Sequence, residues 1–210
     1  MNIALAILVV LVLLVVNEVW WRKHRRPNEL SRKFVHITVG SFVAFWPFFL
    51  SWNQILLLSG AFLVVVIISK YLHIFRAIHS VQRPTWGEIF FAIAVGAVAL
   101  ITQSKGVYAA ALLQMSLADG LAAIVGLRFG KSNRYKVFGS TKSVAGTAAF
   151  FIVSVGLLVG YSLVSGTNIP LVYIAILAAT AGLIENIGAF GLDNVFVPVI
   201  IAMVLNQIVI

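Results

Sequence analysis

An acidic residue inside an apolar stretch, followed by glycines and cations, is the part of this sequence that could do chemistry. Residues 118–146 read ADGLAAIVGLRFGKSNRYKVFGSTKSVAG. Asp119 is costly in a helix that otherwise suits lipid, so it indicates a functional site. Glycines beside Lys and Arg at a helix end let a phosphate approach the backbone closely. The pattern predicts an enzyme that acts on a phosphorylated molecule at a membrane face.

Small residues follow Asp119 along one helical face, at Ala123, Gly126 and Gly130. Spacings of four, seven and eleven residues place these side chains in one stripe. Such stripes face neighbouring helices rather than lipid. At 1.5 Å per residue Asp119 lies about 12 Å in from Leu127, a depth that suits a cavity. A structural hydrogen bond to another helix is the alternative, and a metal ion or a lysine is the natural partner of a buried carboxylate.

Two further carboxylates fall in the last part of the chain. Glu185 is surrounded at helical spacing by small residues and should point into the bundle. Asp193 and Asn194 open the last apolar segment, where Asp193 could instead be a plain N-cap. Pro198 has no N–H to offer the Asn194 carbonyl, which leaves that oxygen available to a ligand or cation. Three carboxylates beside concentrated cations predict a site for a magnesium–polyphosphate complex.

Cations concentrate in the segment 128–143, at Arg128, Lys131, Arg134, Lys136 and Lys142. Residues 140–143, Ser-Thr-Lys-Ser, place hydroxyls and backbone N–H groups where the next helix starts, and a helix start attracts phosphate. The Walker A spacing is absent. Arg32 and His36 form a second cluster on one helix face. A basic collar at the membrane surface is the alternative explanation for both groups.

The composition places these residues in a membrane protein. The chain of 210 residues is 61% hydrophobic and 10% charged, and its mean hydropathy is +1.06. A soluble domain carries about 25% charged residues. The net charge of +9 is not a nucleic-acid signal, because the cations flank apolar segments. The absence of cysteine excludes thiol catalysis, disulfides and thiolate metal sites.

The apolar segments predict an all-α fold, a bundle of about eight transmembrane helices in one integral membrane domain, residues 1–210. The expected spans are 2–21, 34–50, 53–69, 86–102, 106–127, 144–164, 169–187 and 193–209. The segments 22–33, 70–85 and 128–143 hold 6, 3 and 5 of the 15 cations, so 14 lie on one side. This asymmetry predicts both termini outside and the basic loops in the cytoplasm.

Three local features refine the expected topology. The apolar run from Ile3 to Val16 precedes its cations, which is typical of a retained first helix rather than a cleaved signal. The corner between the last two spans could contain a broken or re-entrant segment. Gly156 and Gly160 form a GxxxG motif, which favours helix packing.

Taken together, the motifs resemble those of the membrane kinases for lipid alcohols, which include phytol, farnesol, dolichol and CTP-dependent diacylglycerol kinases. The resemblance runs from about Leu30 to Pro198. The matching motifs are Arg32-Lys33-x-x-His36, Gly87-Glu88, Asp119-Gly120-x-Ala122-x-x-x-Gly126-x-x-x-Gly130, Lys142-Ser143-x-Ala145-Gly146, Glu185-Asn186 and Asp193-Asn194-x-x-x-Pro198. Dolichol kinases and phosphatidate cytidylyltransferases tend to have Glu where this chain has Ala145, so the resemblance is nearest to the phytol and farnesol kinase branch.

The resemblance implies transfer of the γ-phosphoryl group, usually of CTP, to a membrane-embedded isoprenoid alcohol at the cytoplasmic face of the cell membrane. It implies Asp119, Glu185 and Asp193 as catalytic residues, with Asp119 and Asp193 holding Mg²⁺ or orienting the hydroxyl. The implied nucleotide-binding residues are Arg32, Lys33, His36, Gly126, Arg128, Gly130, Lys131, Lys142, Ser143, Gly146 and Asn194. The alcohol, its chain length and the oligomeric state stay open.

Two other function classes fit parts of the sequence. A phosphatidate cytidylyltransferase-like enzyme shares the central signature but releases pyrophosphate and a CDP-lipid, and a diacylglycerol kinase differs only in its acceptor. A small ion-coupled transporter could use Asp119 and Glu185 as cation or proton ligands. A transporter has no need of the cations in 128–143 and often shows an internal repeat, which we do not find.

Overall fold

The fold is a helical bundle, in a computed structural model that describes residues 2–24, 29–72 and 86–209. Its helices are α1 (Ile3–His24), α2 (Glu29–Ala44), α3 (Trp52–Leu72), α4 (Gly87–Ile101), α5 (Lys105–Leu113), α6 (Asp119–Phe129), α7 (Val144–Ser165), α8 (Leu171–Ile187) and α9 (Asp193–Val209). A π-helical turn, Gln114–Ala118, joins α5 to α6, and a 3₁₀ turn, Trp46–Phe48, follows α2. The all-α prediction is confirmed.

Several of these helices have the length and composition of membrane spans. Among the described residues, four are long and apolar enough to cross a bilayer, namely Ile3–Trp20, Trp52–Ser69, Lys105–Phe129 and Val144–Ser165. Shorter apolar helices cover Gly87–Ile101, Leu171–Ile187 and Asp193–Ile208. The chain is therefore a membrane protein. The count of eight spans and the outside placement of both termini stay predictions.

Helix α2 differs from the expected second span, residues 34–50. It begins at Glu29 and ends at Ala44, so Arg32 and Lys33 lie inside the helix rather than in a basic loop. Both side chains are buried. Burial of these cations is possible because each has a carboxylate partner, Glu29 for Arg32 and Asp119 for Lys33. The expected basic segment 70–85 lies mostly outside the described residues.

Within the basic segment 128–143, residues 134–143 form a β-hairpin that the sequence did not predict. Strands β1 (Arg134–Val137) and β2 (Ser140–Ser143) pair antiparallel, with Tyr135 opposite Lys142. The two-residue turn at Phe138 and Gly139 has φ values of 44° and 79°. Positive φ at both central positions is typical of the type I′ turn, whose twist matches that of paired strands.

The core of the bundle lies where α5, α6 and the π-helical turn meet α2, α7 and α9. Its largest fully buried side chains include Tyr108, Leu112, Phe150 and Ile201. Gly156 and Gly160 make no close contact with the described residues, since a Cβ built at either position would meet no atom within 4 Å, so the packing predicted for them stays a prediction. The helix α7 makes its close contact nearer its start, at Gly146.

The corner between α8 and α9 is a loop, not a broken helix. Helix α8 runs without interruption to Ile187, and α9 begins at Asp193. The loop has positive φ at Phe190 (57°) and Gly191 (94°). The backbone N–H of Trp86 donates to the Phe190 carbonyl at 3.0 Å, and the Asn194 side chain donates to the Gly87 carbonyl at 3.0 Å. These bonds fix the loop to the start of α4.

Candidate active site

A cavity of about 680 Å³ opens between α2, α6, the hairpin and the α8–α9 loop. Its charged lining residues are Glu29, Arg32, Lys33, Asp119, Arg134, Lys142, Glu185 and Asp193. Most of the other lining residues are glycine, alanine, serine or threonine. The cavity is therefore a highly charged space in an otherwise apolar chain. Ionisable groups at such a depth face a polar cavity rather than lipid, which marks this one as the candidate site.

Three carboxylates converge in this cavity from three separate elements. One oxygen each of Asp119 in α6, Glu185 in α8 and Asp193 in α9 lie within 4.8 Å of one another. Asp119 and Glu185 are buried, and Asp193 is half-buried. Three negative charges this close repel one another unless cations offset them.

The first offsetting cation is Lys33, which comes from α2. Its Nζ donates a hydrogen bond to Asp119 Oδ2, and the two side chains are only 8% and 7% exposed. His36, one helical turn further along α2, places Nε2 3.7 Å from the same oxygen. The sequence predicts a metal ion or a lysine as the partner of Asp119. The structure shows the lysine, which is 86 residues away in sequence.

The second offsetting cation is Lys142, which comes from β2 of the hairpin. Its Nζ donates to the Glu185 carboxylate and, at 2.9 Å, to the Glu185 backbone carbonyl. Burial lowers the pKa of Lys142, but the Glu185 carboxylate and its hydrogen bond outweigh burial and hold that pKa above its usual value. Lys142 therefore stays protonated at neutral pH.

The hairpin is held against the bundle by a small polar network. The Tyr135 hydroxyl donates to Asn186 Oδ1, and Thr147 Oγ1 donates to the same oxygen at 3.1 Å. Asn186 in turn donates to the Gly182 carbonyl at 2.8 Å. Because Tyr135 stands opposite Lys142 in the hairpin, this network sets the position of Lys142.

The spacing of the glycines after Asp119 is explained by close packing around Ser143. A Cβ at Gly130 would clash with Ser143, a Cβ at Gly126 would lie 2.9 Å from Ser143 Oγ, and one at Gly146 would lie 3.0 Å from the Ala122 carbonyl. Ser143 is the N-cap of α7, since its Oγ accepts from Gly146 N at 3.1 Å. Gly126, Ser143 and Gly146 also line the cavity, whereas Gly130 does not.

Arg32 is a candidate ligand for an anion at the edge of this site. Its guanidinium donates to Glu29 at 2.8 Å, but its buried Nε has no hydrogen-bond partner among the described residues. An unpartnered buried donor beside a cavity is available to a ligand. Asn194 also lines the cavity, although its side-chain amide is used by the Gly87 carbonyl.

Not every predicted site residue reaches the cavity. Arg128 is exposed and lies 5.4 Å from the Phe129 ring, and Lys131 is exposed at the start of the hairpin segment. Neither lines the cavity in the described residues. His36 does not line the cavity as described either. Its Nε2 forms a hydrogen bond with the Met115 carbonyl oxygen at 2.9 Å.

Several residues of the site escape prediction from the sequence, among them Glu29 in the cavity lining. Thr147 lies one turn beyond Ser143 on the same helix face, a spacing that could have indicated it. No sequence pattern marks Tyr135, because its position opposite Lys142 is known only from the pairing of the two strands. Phe138 and Phe190 line the cavity from two loops, and both have positive φ, which sequence alone does not reveal for phenylalanine.

The chain is similar in sequence to a known protein. A phytol kinase of Synechocystis sp. is 36% identical over 184 residues, an alignment that covers 82% of this chain and 76% of the relative. No family model matches the chain, and no solved structure matches it.

Proposed function

The chain belongs to the phytol kinase family, and from that premise we propose that it transfers the γ-phosphoryl group of CTP to the hydroxyl of an isoprenoid alcohol. The observation that carries the proposal is the convergence of Asp119, Glu185 and Asp193 in a cavity lined by four cations. Phosphoryl transfer depends on positioning and charge neutralisation rather than on covalent chemistry of the protein. A cavity of mixed charge, open to a polyanion, suits that requirement.

The donor set fits Mg²⁺, which prefers carboxylate oxygens and usually takes one or two of them together with substrate phosphates. The oxygens of Asp119, Glu185 and Asp193 are close enough to share one small cation. Asp119 and Asp193 would hold the ion, as the family resemblance implies, while the Asp119 and Glu185 carboxylates each keep one lysine partner. When bound, Mg²⁺ neutralises charge on the β- and γ-phosphate oxygens.

The cations of the cavity would bind the triphosphate. An ammonium group has three N–H donors, so Lys33 and Lys142 can each keep a carboxylate partner and still donate to a phosphate oxygen. Arg32 offers its unpartnered Nε, and Arg134 lines the cavity from β1. A guanidinium also matches the geometry of phosphate. These groups would orient the γ-phosphate toward the carboxylates.

The acceptor would enter with its chain in the bilayer and its hydroxyl in the cavity. Asp193 is suited to receive that hydroxyl, because it forms no ion pair with the described residues while Asp119 and Glu185 each bind a lysine. A carboxylate has two oxygens. One oxygen of Asp193 can therefore serve the metal while the other accepts the hydroxyl hydrogen bond and then its proton.

The position of the label in CTP tests the proposal. The protein purified in detergent is incubated with phytol and Mg²⁺, and with CTP labelled either at the γ- or at the α-phosphate. We expect lipid-soluble label from γ-labelled CTP alone. Lipid label from α-labelled CTP in a parallel incubation with phosphatidate would establish cytidylyl transfer instead. No lipid label from either, with phytol, farnesol, undecaprenol, diacylglycerol or phosphatidate, would end the kinase proposal and favour the transporter.

The preference for CTP over other nucleotides needs a separate experiment. Charged groups bind phosphates, which all nucleotides share, so the preference for CTP rests on the family resemblance. We expect unlabelled CTP to compete well, and ATP poorly, because a site built to pair one base edge rejects others strongly. Equal competition by ATP would remove the pyrimidine assignment and leave phosphoryl transfer intact.

We further propose that the hairpin faces the cytoplasm in the cell membrane, from the 14-to-1 distribution of cations. The chain has no cysteine, so single cysteines can be introduced without removing any. Ser132→Cys and Ser165→Cys should react with a membrane-impermeant maleimide from opposite sides. Reaction of both from the same side would contradict this orientation.

A further inference from the structure

The helix that carries Asp119 contains a π-helical turn directly before it. Residues Gln114–Ala118 form this turn, and the Asp119 N–H donates to the Gln114 carbonyl, five residues earlier. A π-helical turn contains one residue more than an α-helical turn. The extra residue rotates the side chains that follow it by about 100° around the helix axis, relative to an uninterrupted α-helix. The turn therefore determines which way Asp119 points relative to α5. π-Helical turns occur frequently at functional sites.

His36 is bonded to the backbone of this turn. Its Nε2 lies 2.9 Å from the Met115 carbonyl oxygen, and since a carbonyl can only accept, Nε2 carries the hydrogen. The ring is fixed by an edge contact with Phe91, 5.2 Å between centroids, and its side chain is 9% exposed. A buried carbonyl in an irregular turn needs such a donor.

Helix α2 packs closely against the turn on either side of that bond. A Cβ at Gly40 would clash with Ser116, and a Cβ at Gly120 would clash with Ile37. Lys33, His36, Ile37 and Gly40 have the spacing of one helix face. One face of α2 thus contacts the π-helical turn and the start of α6, with His36 as its bond to the turn itself.

We propose that His36 is a positioning residue that holds the π-helical turn in shape through the Met115 carbonyl and so directs the Asp119 carboxylate into the cavity. The inference rests on the proposed function, which places metal and phosphate at Asp119. It assigns His36 no contact with the nucleotide, in contrast to the role implied by the family resemblance. Loss of the bond should slow phosphoryl transfer while nucleotide binding, which uses the lysines and Arg32, persists.

The test compares His36→Leu with His36→Gln. Leucine fills the space without a donor, whereas the glutamine amide N–H can reach the Met115 carbonyl. We expect His36→Leu to lower kcat about 30-fold or more, with KM for CTP changed less than about 3-fold, and His36→Gln to recover most of the kcat. Normal kcat in His36→Leu, equal loss in both variants, or a loss confined to KM would overturn the proposal.

A spectroscopic arm keeps the inference separate from the proposed function. The chain has three methionines, Met1, Met115 and Met203. Methyl-¹³C-methionine labelling therefore gives a spectrum in which Met115 can be assigned with Met203→Leu. We expect the Met115 signal to move in His36→Leu and to stay near its native position in His36→Gln, in protein of unchanged helical content. An unmoved Met115 signal in His36→Leu would overturn the inference even if the enzyme proved not to be a kinase.

Discussion

The two lysine–carboxylate pairs of the cavity are chemically alike but are supported differently. The helix pair, Lys33–Asp119, joins two packed helices and is almost fully buried. The hairpin pair, Lys142–Glu185, joins a helix to a short hairpin, and its lysine is 20% exposed. The first pair is fixed by the core of the bundle, and the second depends on the polar network of Tyr135, Thr147 and Asn186.

This difference indicates a division of roles in the site. Groups that hold a metal need a rigid support, which packed helices provide. Groups that contact a substrate as it enters and leaves are often carried by loops on a rigid scaffold. Under the proposed function, we therefore expect the metal at the helix pair and the entering phosphates at the hairpin pair.

The largest expected effect is the loss of turnover on neutralising Asp119. Asp119→Asn keeps the size of the side chain and removes the charge that a metal requires. We expect kcat to fall roughly 1000-fold or more, about 4 kcal/mol of transition-state stabilisation. Phosphoryl transfer from γ-labelled CTP to phytol measures it. Near-normal turnover would make Asp119 a packing residue.

A double variant separates this effect from unfolding. Asp119→Asn alone leaves Lys33 buried without its carboxylate, which is destabilising. Asp119→Asn with Lys33→Met removes both charges, so we expect it to recover thermal stability but no activity. Recovery of activity in the double variant would contradict a metal-binding role for Asp119.

The next effect concerns stability, and it separates the two pairs. Lys33→Met leaves Asp119 buried and unpaired, which should cost about 3–5 kcal/mol. Glu185 is as buried as Asp119, but Lys142 is 20% exposed, so Lys142→Met removes a lysine that already reaches solvent and should cost less, about 1–3 kcal/mol. Unfolding of each variant in detergent, followed by helical circular dichroism, gives the comparison. Equal losses would mean that the hairpin is as rigidly fixed as the helices.

The smallest effect lies at the tip of the hairpin. Phe138 has φ 44° and is 75% exposed, and a positive φ costs a non-glycine residue roughly 1–2 kcal/mol. Asparagine tolerates this conformation better at a type I′ turn. Phe138→Asn should therefore slow hydrogen exchange across residues 134–143 about 5-fold, which corresponds to about 1 kcal/mol. Unchanged or faster exchange would mean that Phe138 stabilises the hairpin through a contact.

Much of this architecture can be predicted from apolar segment length and from the cost of burying charge. Both arguments are local, and they locate the helices and the residues Asp119, Glu185 and Asp193 without a structure. The pairing of Lys33 with Asp119 joins residues 86 positions apart, and no local pattern carries that information. Sequence alone places Lys33 in a basic loop because the start of α2 has no apolar signal.

Other features escape prediction because they depend on tertiary contacts. The glycine spacing is the same at Gly126–Gly130 and at Gly156–Gly160, yet only the first pair meets Ser143 closely. Sequence alone assigns the hairpin to a loop because its strands are short and its turn residue is Phe138, not the expected asparagine or glycine. The π-helical turn cannot be predicted from hydrophobic periodicity, because it is only five residues long.

The central claim is that a magnesium nucleotide occupies the cavity between the two pairs. Protection of single cysteines measures this directly. Thr141 is exposed in β2 and lines the cavity, whereas Ser132 is exposed and does not line it. In Thr141→Cys, Mg²⁺ with CTP should slow maleimide labelling about 10-fold, and in Ser132→Cys labelling should not change. Equal rates with and without Mg²⁺–CTP at Thr141→Cys, in protein that still transfers phosphate to phytol, would place the nucleotide elsewhere and contradict the account.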